Sequence, residues 1–159
     1  MAEGIVIPHD ADEPLRIMQF TKLEDYQNAV GGWIEFVQIE SPRLDIIANE
    51  EGKVHGLPIN KRATVMWWLL VPELNRVDAL VGDIILTGAR GSAQVDVPED
   101  FRTLLLDTAS YKYEVQAYGE AGHWSGNAMR FESYFEAAVN GLNLKERWTA
   151  AEKIRVVAA

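Results

Sequence analysis

Glycine and proline divide this chain into short segments, and no other feature of the sequence constrains its fold as strongly. The longest uninterrupted apolar run, residues 65–71, is far shorter than the roughly 18 residues that indicate a membrane span. The N-terminus also lacks the basic and then apolar pattern of a secretory signal. The chain of 159 residues therefore predicts one domain or two small modules, and neither a membrane protein nor a secreted one.

The first half of the chain predicts strands around one helix. Thr21 and Glu24 have the spacing of a capping box, so a helix is expected over residues 22–29, ended by Gly31. Gly4 to Pro8 is interpreted as an edge strand or tail. Alternating or β-branched apolar residues predict further strands at residues 15–20, 33–39, 44–48 and 84–86.

Residues 61–71 are ambiguous because they mix two propensities. Ala63 and Leu69 are good helix formers, whereas Thr64 and Val65 favour a strand. A short helix or turn is the preferred interpretation. Residues 88–97 and 107–110 are interpreted as linkers.

The last fifty residues predict a compact β-β-α-β unit. Alternation over residues 111–118 and the turn at Gly119 to Gly122 indicate a hairpin that returns through residues 123–131. Ser133 caps a helix that runs to about Arg147, and a closing strand follows at residues 154–157. We therefore predict an α+β fold of two modules: residues 1–106, acidic with a mixed or antiparallel sheet, and residues 110–159, a β-β-α-β unit.

The acidic excess is concentrated at the N-terminus. Residues 1–51 hold three basic and eleven acidic residues, a balance of −8, whereas residues 110–159 are neutral. Direct nucleic-acid binding needs clustered lysine and arginine and is not expected. An acidic surface suits a basic partner, or it simply maintains solubility.

Residues with recognisable catalytic or metal-binding spacing are absent from the sequence. There is no cysteine, which is consistent with a cytoplasmic location, and the three histidines are not paired for a metal. No phosphate loop or nucleophile elbow occurs either. We expect no metal, no cofactor and no catalytic residues, although an unfamiliar enzyme stays open.

Two neighbouring turns are the best candidate binding site. They combine exposed amides and carboxylates with a Leu-Pro step, and could hold a ligand or a partner backbone. Hairpin architecture is the alternative, because Asn and Gly tolerate positive φ and Asn60 can cap the turn that follows. The candidate residues are Asn49, Glu50, Glu51, Gly56, Leu57, Pro58 and Asn60.

Trp67 and Trp68 are the second candidate. In a strand they would point to opposite faces, which would leave one exposed as an anchor for a partner or for a homodimer. In an element buried on both sides, the fold would house both rings without any interface.

Four motifs carry a resemblance to a known family: Gly31-Gly32-Trp33-Ile34-Glu35, Asn49-Glu50-Glu51-Gly52-Lys53, Gly56-Leu57-Pro58-Ile59-Asn60 and Val81-Gly82-Asp83-Ile84-Ile85. Over about residues 15–88 the chain resembles the domain of unknown function 3846 family of bacteriophages and mobile elements. Further motifs lie near the C-terminus: Trp124-Ser125-Gly126-Asn127, Met129-Arg130-Phe131, Glu136-Ala137, Arg147-Trp148 and Arg155-Val156-Val157. With them, the C-terminal part is similar to an accessory module common in actinobacterial phage proteins. The resemblance implies a non-catalytic accessory protein of the bacterial cytoplasm.

These observations lead to two hypotheses of function. The first is a phage or mobile-element protein that binds a host macromolecule, in a host-takeover or anti-defence role. Its acidic character favours a basic or nucleic-acid-binding host protein, and no membrane partner. The second is a small-ligand or nucleotide-binding protein, with enzymatic activity open, that uses the turns between Asn49 and Asn60.

Overall fold

The computed structural model describes residues 2–91 and 94–159, which form two compact units. The first unit ends at Phe101 and the second begins at Arg102. Each combines helices with an antiparallel sheet, so the predicted α+β class is confirmed. The exact module limits at residues 106 and 110 stay a prediction.

The first unit contains a five-stranded antiparallel sheet. The elements up to the end of that sheet, in chain order, are β1 Ala2–Ile7, β2 Arg16–Phe20, α1 Leu23–Val30, β3 Ile34–Ile39, β4 Leu44–Asn49, α2 Lys61–Leu70 and β5 Ile84–Gly88. The strand order in the sheet is β2-β1-β5-β4-β3. A short 3-10 turn, Pro72–Leu74, follows α2, and helix α3, Glu99–Leu106, follows the sheet.

One face of this sheet packs on α1. Val6, Ile47 and Ile85 come from neighbouring strands and form a buried cluster with Phe20 and Val30. The interpretation of the first strand as an edge strand or tail is wrong, because β1 pairs with β2 on one side and β5 on the other. Its short apolar run is buried for that reason.

The opposite face of the sheet is buried as well. Ile5, Ile46 and Leu86 lie next to one another in the strand register and are fully buried. Helix α2 lies on this side, since Trp67 shares a cleft with Ala48 of β4. Covering on both faces explains why β4 and β5 are buried throughout.

The first helix begins one residue later than the capping pattern predicts. Lys22 is the N-cap, and the backbone N–H groups of Thr21 and Lys22 donate to the Asp25 carboxylate at 2.8 and 3.0 Å. The predicted Thr21–Glu24 capping box is therefore wrong. These backbone hydrogen bonds, led by that from Lys22, hold the pKa of Asp25 below its usual range.

The ambiguous segment is helical. Asn60 caps α2 by accepting from the backbone N–H of Ala63 at 3.0 Å, so the helix begins at Lys61 and ends at Leu70 before Pro72. Burial then outweighs the strand propensity of the β-branched and aromatic residues within it. The predicted linker at 88–97 is wrong in part, because the backbone N–H of Gly88 donates to the carbonyl of Val95 at 2.9 Å. Residues 92 and 93 of that range lie outside the described residues.

The second unit is built from β6, Tyr111–Ala117, helix α4, Tyr134–Arg147, and β7, Ala151–Ala158. The two strands pair antiparallel, and α4 packs on them. The helix and the closing strand are thus present as predicted. The second strand of the predicted hairpin is not continuous, since residues 123–131 meet β6 only in isolated bridges at Ser125 and Phe131.

Gly141 in α4 allows the helix to approach the sheet closely. A Cβ at this position would lie 2.6 Å from Ile154 Cγ2 and 3.2 Å from Tyr113 Cβ. Alanine gains about 1 kcal/mol of helix propensity but adds an overpacking cost of roughly 1–3 kcal/mol. We expect Gly141→Ala to lower the free energy of unfolding by about 1 kcal/mol, measured by hydrogen exchange at the β6 amides.

Asn143→Ala is the control, because Asn143 is exposed on the same helix. It should change stability by no more than about 0.5 kcal/mol. Stabilisation by Gly141→Ala would show that the close approach of helix and sheet is not needed.

Candidate functional site

A cleft of about 360 Å³ opens between the sheet and α2 in the first unit. Glu35 of β3 and Ala48 of β4 are register partners, so their side chains share the face of the sheet that forms one side. The cleft is lined by Glu35, Val37, Ala48, Asn49, Glu50, Lys53, Val54, Trp67, Asp78, Ala79, Leu80 and Val81. Four separate parts of the sequence therefore converge on it, at residues 35–37, 48–54, 67 and 78–81.

Part of the cleft wall is apolar. Val37 and Ala48 belong to the sheet, Leu80 and Val81 precede β5, and Trp67 belongs to α2. Trp67 is only 5% exposed, and its buried indole Nε1 has no hydrogen-bond partner among residues 2–91 and 94–159. A buried donor without an acceptor costs about 1–3 kcal/mol, so this is an unusual feature for a purely structural wall.

The polar part of the cleft is mainly acidic. It contains the carboxylates of Glu35, Glu50 and Asp78, and one cation, Lys53. The Lys53 ammonium hydrogen-bonds to Asp78, and this is the first cause of a pKa of Asp78 below its usual range. Within the residues that the structure describes, the Glu35 and Glu50 side chains have no ion-pair partner. The cleft thus carries two uncompensated negative charges.

Hydrogen bonds to α2 and its N-cap hold the wall at residues 78–82. Trp68 Nε1 donates to the carbonyl of Asp78 at 2.7 Å, and Thr64 Oγ1 accepts from the backbone N–H of Leu80 at 3.0 Å. The Asn60 side chain, fully buried, donates to the carbonyl of Gly82 at 2.9 Å. These contacts fix the backbone that carries Asp78, and therefore the position of its carboxylate.

Some of the candidate residues predicted from the sequence meet in this cleft. Asn49, Glu50 and Trp67 line it. Asn49 turns its side chain to the other face of the sheet, where Nδ2 donates to the carbonyl of Val30 at 3.2 Å, so its contribution to the cleft is limited. Glu50 is exposed and presents its carboxylate.

Other candidates support the cleft without lining it. Asn60 and Trp68 hold the wall, and the carbonyl of Pro58 accepts from the backbone N–H of Gly82 at 2.7 Å. In helix α2, Trp67 is buried and Trp68 is half-buried. The structure thus favours the alternative in which the fold houses both rings, rather than an exposed anchor for a dimer.

The remaining candidates belong to the turn between β4 and α2. Glu51 pairs with His55 at 2.9 Å, four residues on, and both are exposed. The Leu57 backbone N–H donates to the carbonyl of Gly52 at 3.0 Å. Gly56 has a φ of 67°, as expected for a glycine in a turn, but this turn joins a strand to a helix, so the hairpin expected here is wrong. Glu51, Gly56 and Leu57 shape this turn and do not line the cleft.

Four residues of the cleft that matter for its chemistry were not predicted as site residues. Glu35, Lys53 and Val81 occur within the motifs that carry the family resemblance, and this was the available signal. Asp78 has no such signal. It lies in a segment without regular structure, and long-range hydrogen bonds such as that from Trp68 to its carbonyl bring it to the cleft.

Two further polar groups lie outside the cleft and tie loops to the sheet. Asp83 accepts from the backbone N–H of His9 at 2.9 Å and contacts its Nδ1 at 2.8 Å. Asp45 is fully buried, and its Oδ2 accepts from the Arg90 backbone N–H at 3.2 Å. Among the described residues, no cluster of three or more acidic or histidine side chains could hold a metal ion.

The first unit is therefore an antiparallel α+β domain with an acidic cleft on one face of its sheet. The chain belongs to the family described as Domain of unknown function (DUF3846), whose model matches residues 2–110. The family resemblance found in the motifs is thereby confirmed, over a longer stretch than the motifs covered.

Comparison with curated proteins gives no match. Comparison with solved structures likewise gives none. Across residues 2–91 and 94–159, no helix has both the length and the apolar character needed to cross a bilayer.

Proposed function

We propose that this protein acts by binding, and that the acidic cleft of its first unit receives a positively charged group of a basic partner. The uncompensated carboxylates of Glu35 and Glu50 carry this proposal. Both lie on the β3–β4 side of a concave surface with apolar walls, since Glu35 pairs with Ala48 and Glu50 follows Ala48 by two residues, so a cation bound beside them would be attracted by both. The charge balance of −8 over residues 1–51 would also steer a basic partner toward this unit.

The partner we favour is a host protein, basic or nucleic-acid-binding, met by a phage or mobile-element protein in the bacterial cytoplasm. The sequence resemblance supports the phage and mobile-element setting. The acidic cleft supports the chemistry, because a protein that binds nucleic acid carries the clustered lysine and arginine that complement it. Interference with host physiology or defence would follow if the cleft competes with nucleic acid for that surface.

A small cationic ligand is the second candidate, and the size of the cleft favours it. A volume of about 360 Å³ falls within the roughly 300–1,000 Å³ typical of small-molecule sites. The same carboxylates oppose a phosphate group, so a nucleotide fits this cleft poorly. Binding of a polyamine such as spermidine, with thermal stabilisation and no protein partner, would favour this candidate.

Titration calorimetry with a lysine-rich octapeptide tests the proposed function. The double variant Glu35→Gln/Glu50→Gln should weaken binding about tenfold at low salt, since each lost carboxylate contributes roughly 0.5–1 kcal/mol near a surface. The control Glu24→Gln/Glu40→Gln makes the same change in net charge outside the cleft and should weaken binding less than twofold. Absence of binding by the unaltered protein, or equal weakening in both variants, would contradict the proposal.

A pull-down from bacterial lysate extends this test to a natural partner. The unaltered protein should retain a basic protein at low salt and release it at high salt, because the attraction is screened. The cleft double variant should retain less of that protein than the control does. Retention of the same partner by both variants would place its binding surface elsewhere.

A further inference from the structure

Lys53 already places a cation in the acidic cleft. Its ammonium hydrogen-bonds to Asp78, and both side chains line the cleft together with Leu80 and Val81. The lysine side chain is 60% exposed and the aspartate 42%. The pair is therefore a surface ion pair at the cleft, not a buried structural bridge.

The chemistry of this pair indicates what the cleft can hold. A lysine side chain is an aliphatic stem with a charged end, and such chains lie along apolar surface while the head stays at polar groups. The cleft offers both parts, with apolar walls at Val37 and Ala48 and carboxylates at Glu35, Glu50 and Asp78. Asp78 forms an ion pair with Lys53, whereas neither glutamate has an ion-pair partner among the described residues.

Trp67 adds a large apolar side chain to the wall of the cleft. It is more than nine-tenths buried, and its indole N–H is out of reach of solvent, so a ligand in the cleft contacts the ring and not this donor. An aliphatic chain is the part of a ligand that such a ring favours, because contact with it removes apolar surface from water.

We propose that the cleft recognises a primary ammonium at the end of an aliphatic chain, as in a lysine side chain of the partner, and that Lys53 competes with it for Asp78. This inference rests on the proposed function and names the group that the cleft receives. The unliganded protein then holds its own lysine where the ligand's lysine binds. Exposed ion pairs of this kind are weak, so the exchange needs little driving force.

Replacement of Lys53 with methionine removes the competitor and retains most of the aliphatic length. The probe is Nα-acetyl-lysine N-methylamide, and its norleucine counterpart lacks only the ammonium. By calorimetry at low salt, Lys53→Met should bind the lysine probe about fivefold more tightly than the unaltered protein does. The norleucine probe should bind at least fivefold more weakly than the lysine probe.

Lys61→Met is the matched control, because Lys61 is exposed at the start of α2 and does not line the cleft. It makes the same change in net charge and should alter affinity less than twofold. Equal tightening by both variants, or none by Lys53→Met, would overturn the competition. Equal binding of the two probes would overturn recognition of the ammonium.

The lysine-rich octapeptide separates failure of this inference from failure of the proposed function. If the octapeptide binds through Glu35 and Glu50 but Lys53→Met leaves the affinity for the lysine probe unchanged, the cleft binds cations without competition from Lys53. If neither the octapeptide nor the lysine probe binds, the proposed function itself is wrong. Lys53 is largely exposed, so the variant should unfold at nearly the same temperature.

Discussion

Asn60→Ala is expected to lower the free energy of unfolding of the first unit by about 3 kcal/mol. The Asn60 side chain is fully buried and makes three hydrogen bonds. It accepts from the backbone N–H of Ala63 and donates to the carbonyls of Ile7, at 2.8 Å, and Gly82. Alanine removes the cap of α2, and the carbonyls of Ile7 and Gly82 each lose one hydrogen-bond donor. Hydrogen exchange at the β5 amides measures this loss in the first unit alone.

Asn28→Ala is the control for this substitution. Asn28 is exposed on α1, and its loss should change stability by no more than about 0.5 kcal/mol. Asn60→Asp is informative as well, because it keeps the oxygen that caps α2 but replaces the donor with a second oxygen facing two carbonyls. It should be destabilising too. A folded, equally stable Asn60→Ala protein with weakened binding would instead restore Asn60 as a ligand-binding residue.

This expectation changes the interpretation of the Gly56 to Asn60 motif. Taken alone, the motif suggests a loop that presents polar groups to a partner. The structure uses Asn60 to join the end of β1, the start of β5 and the first turn of α2. That junction positions the wall which carries Asp78, so the motif contributes to the cleft through rigidity.

Local sequence patterns predicted the helix ends well where residues next to the helix specify them. The Gly31 stop and the Ser133 cap are signals of this kind, and both ends lie where the sequence placed them. The position of β1 inside the sheet could not be predicted, because it depends on pairing with β5 nearly eighty residues later. The segment around Trp67 needed tertiary burial to decide between helix and strand.

The candidate site was also predictable only in part, because local patterns reveal single residues but not which distant residues the fold brings together. Glu50 and Trp67 were identified because turns and tryptophans are recognisable without a fold. Glu35 was not, since a charged residue in an edge strand normally faces solvent. Only the register that places it beside Ala48 shows that it shares a concave face with α2. Asp78 could not be predicted as a cleft residue either, because its position depends on long-range hydrogen bonds such as that from Trp68.

The second large effect is expected at the end of β5. Gly88 is buried, and a Cβ there would lie 2.2 Å from the carbonyl oxygen of Asp96 and 2.8 Å from Val95 Cγ2. Asp96 is held in turn, because its carboxylate accepts from the backbone N–H of Glu3 at 2.7 Å. A backbone oxygen fixed in this way cannot move aside as a flexible side chain could. We expect Gly88→Ala to lower the free energy of unfolding by about 3 kcal/mol.

Gly91→Ala is the matched control, three residues further along the chain. Nothing lies within 4 Å of a Cβ at Gly91, and the residue is exposed. The sequence does not distinguish the two glycines, because both follow the strand predicted at residues 84–86 and both lie in the predicted linker. Hydrogen exchange at the β5 amides should separate them, with loss of protection in Gly88→Ala and none in Gly91→Ala. Equal protection in both variants would mean that residues 94–96 are not packed on β5, and the first unit would then end nearer to Gly88 than to Phe101.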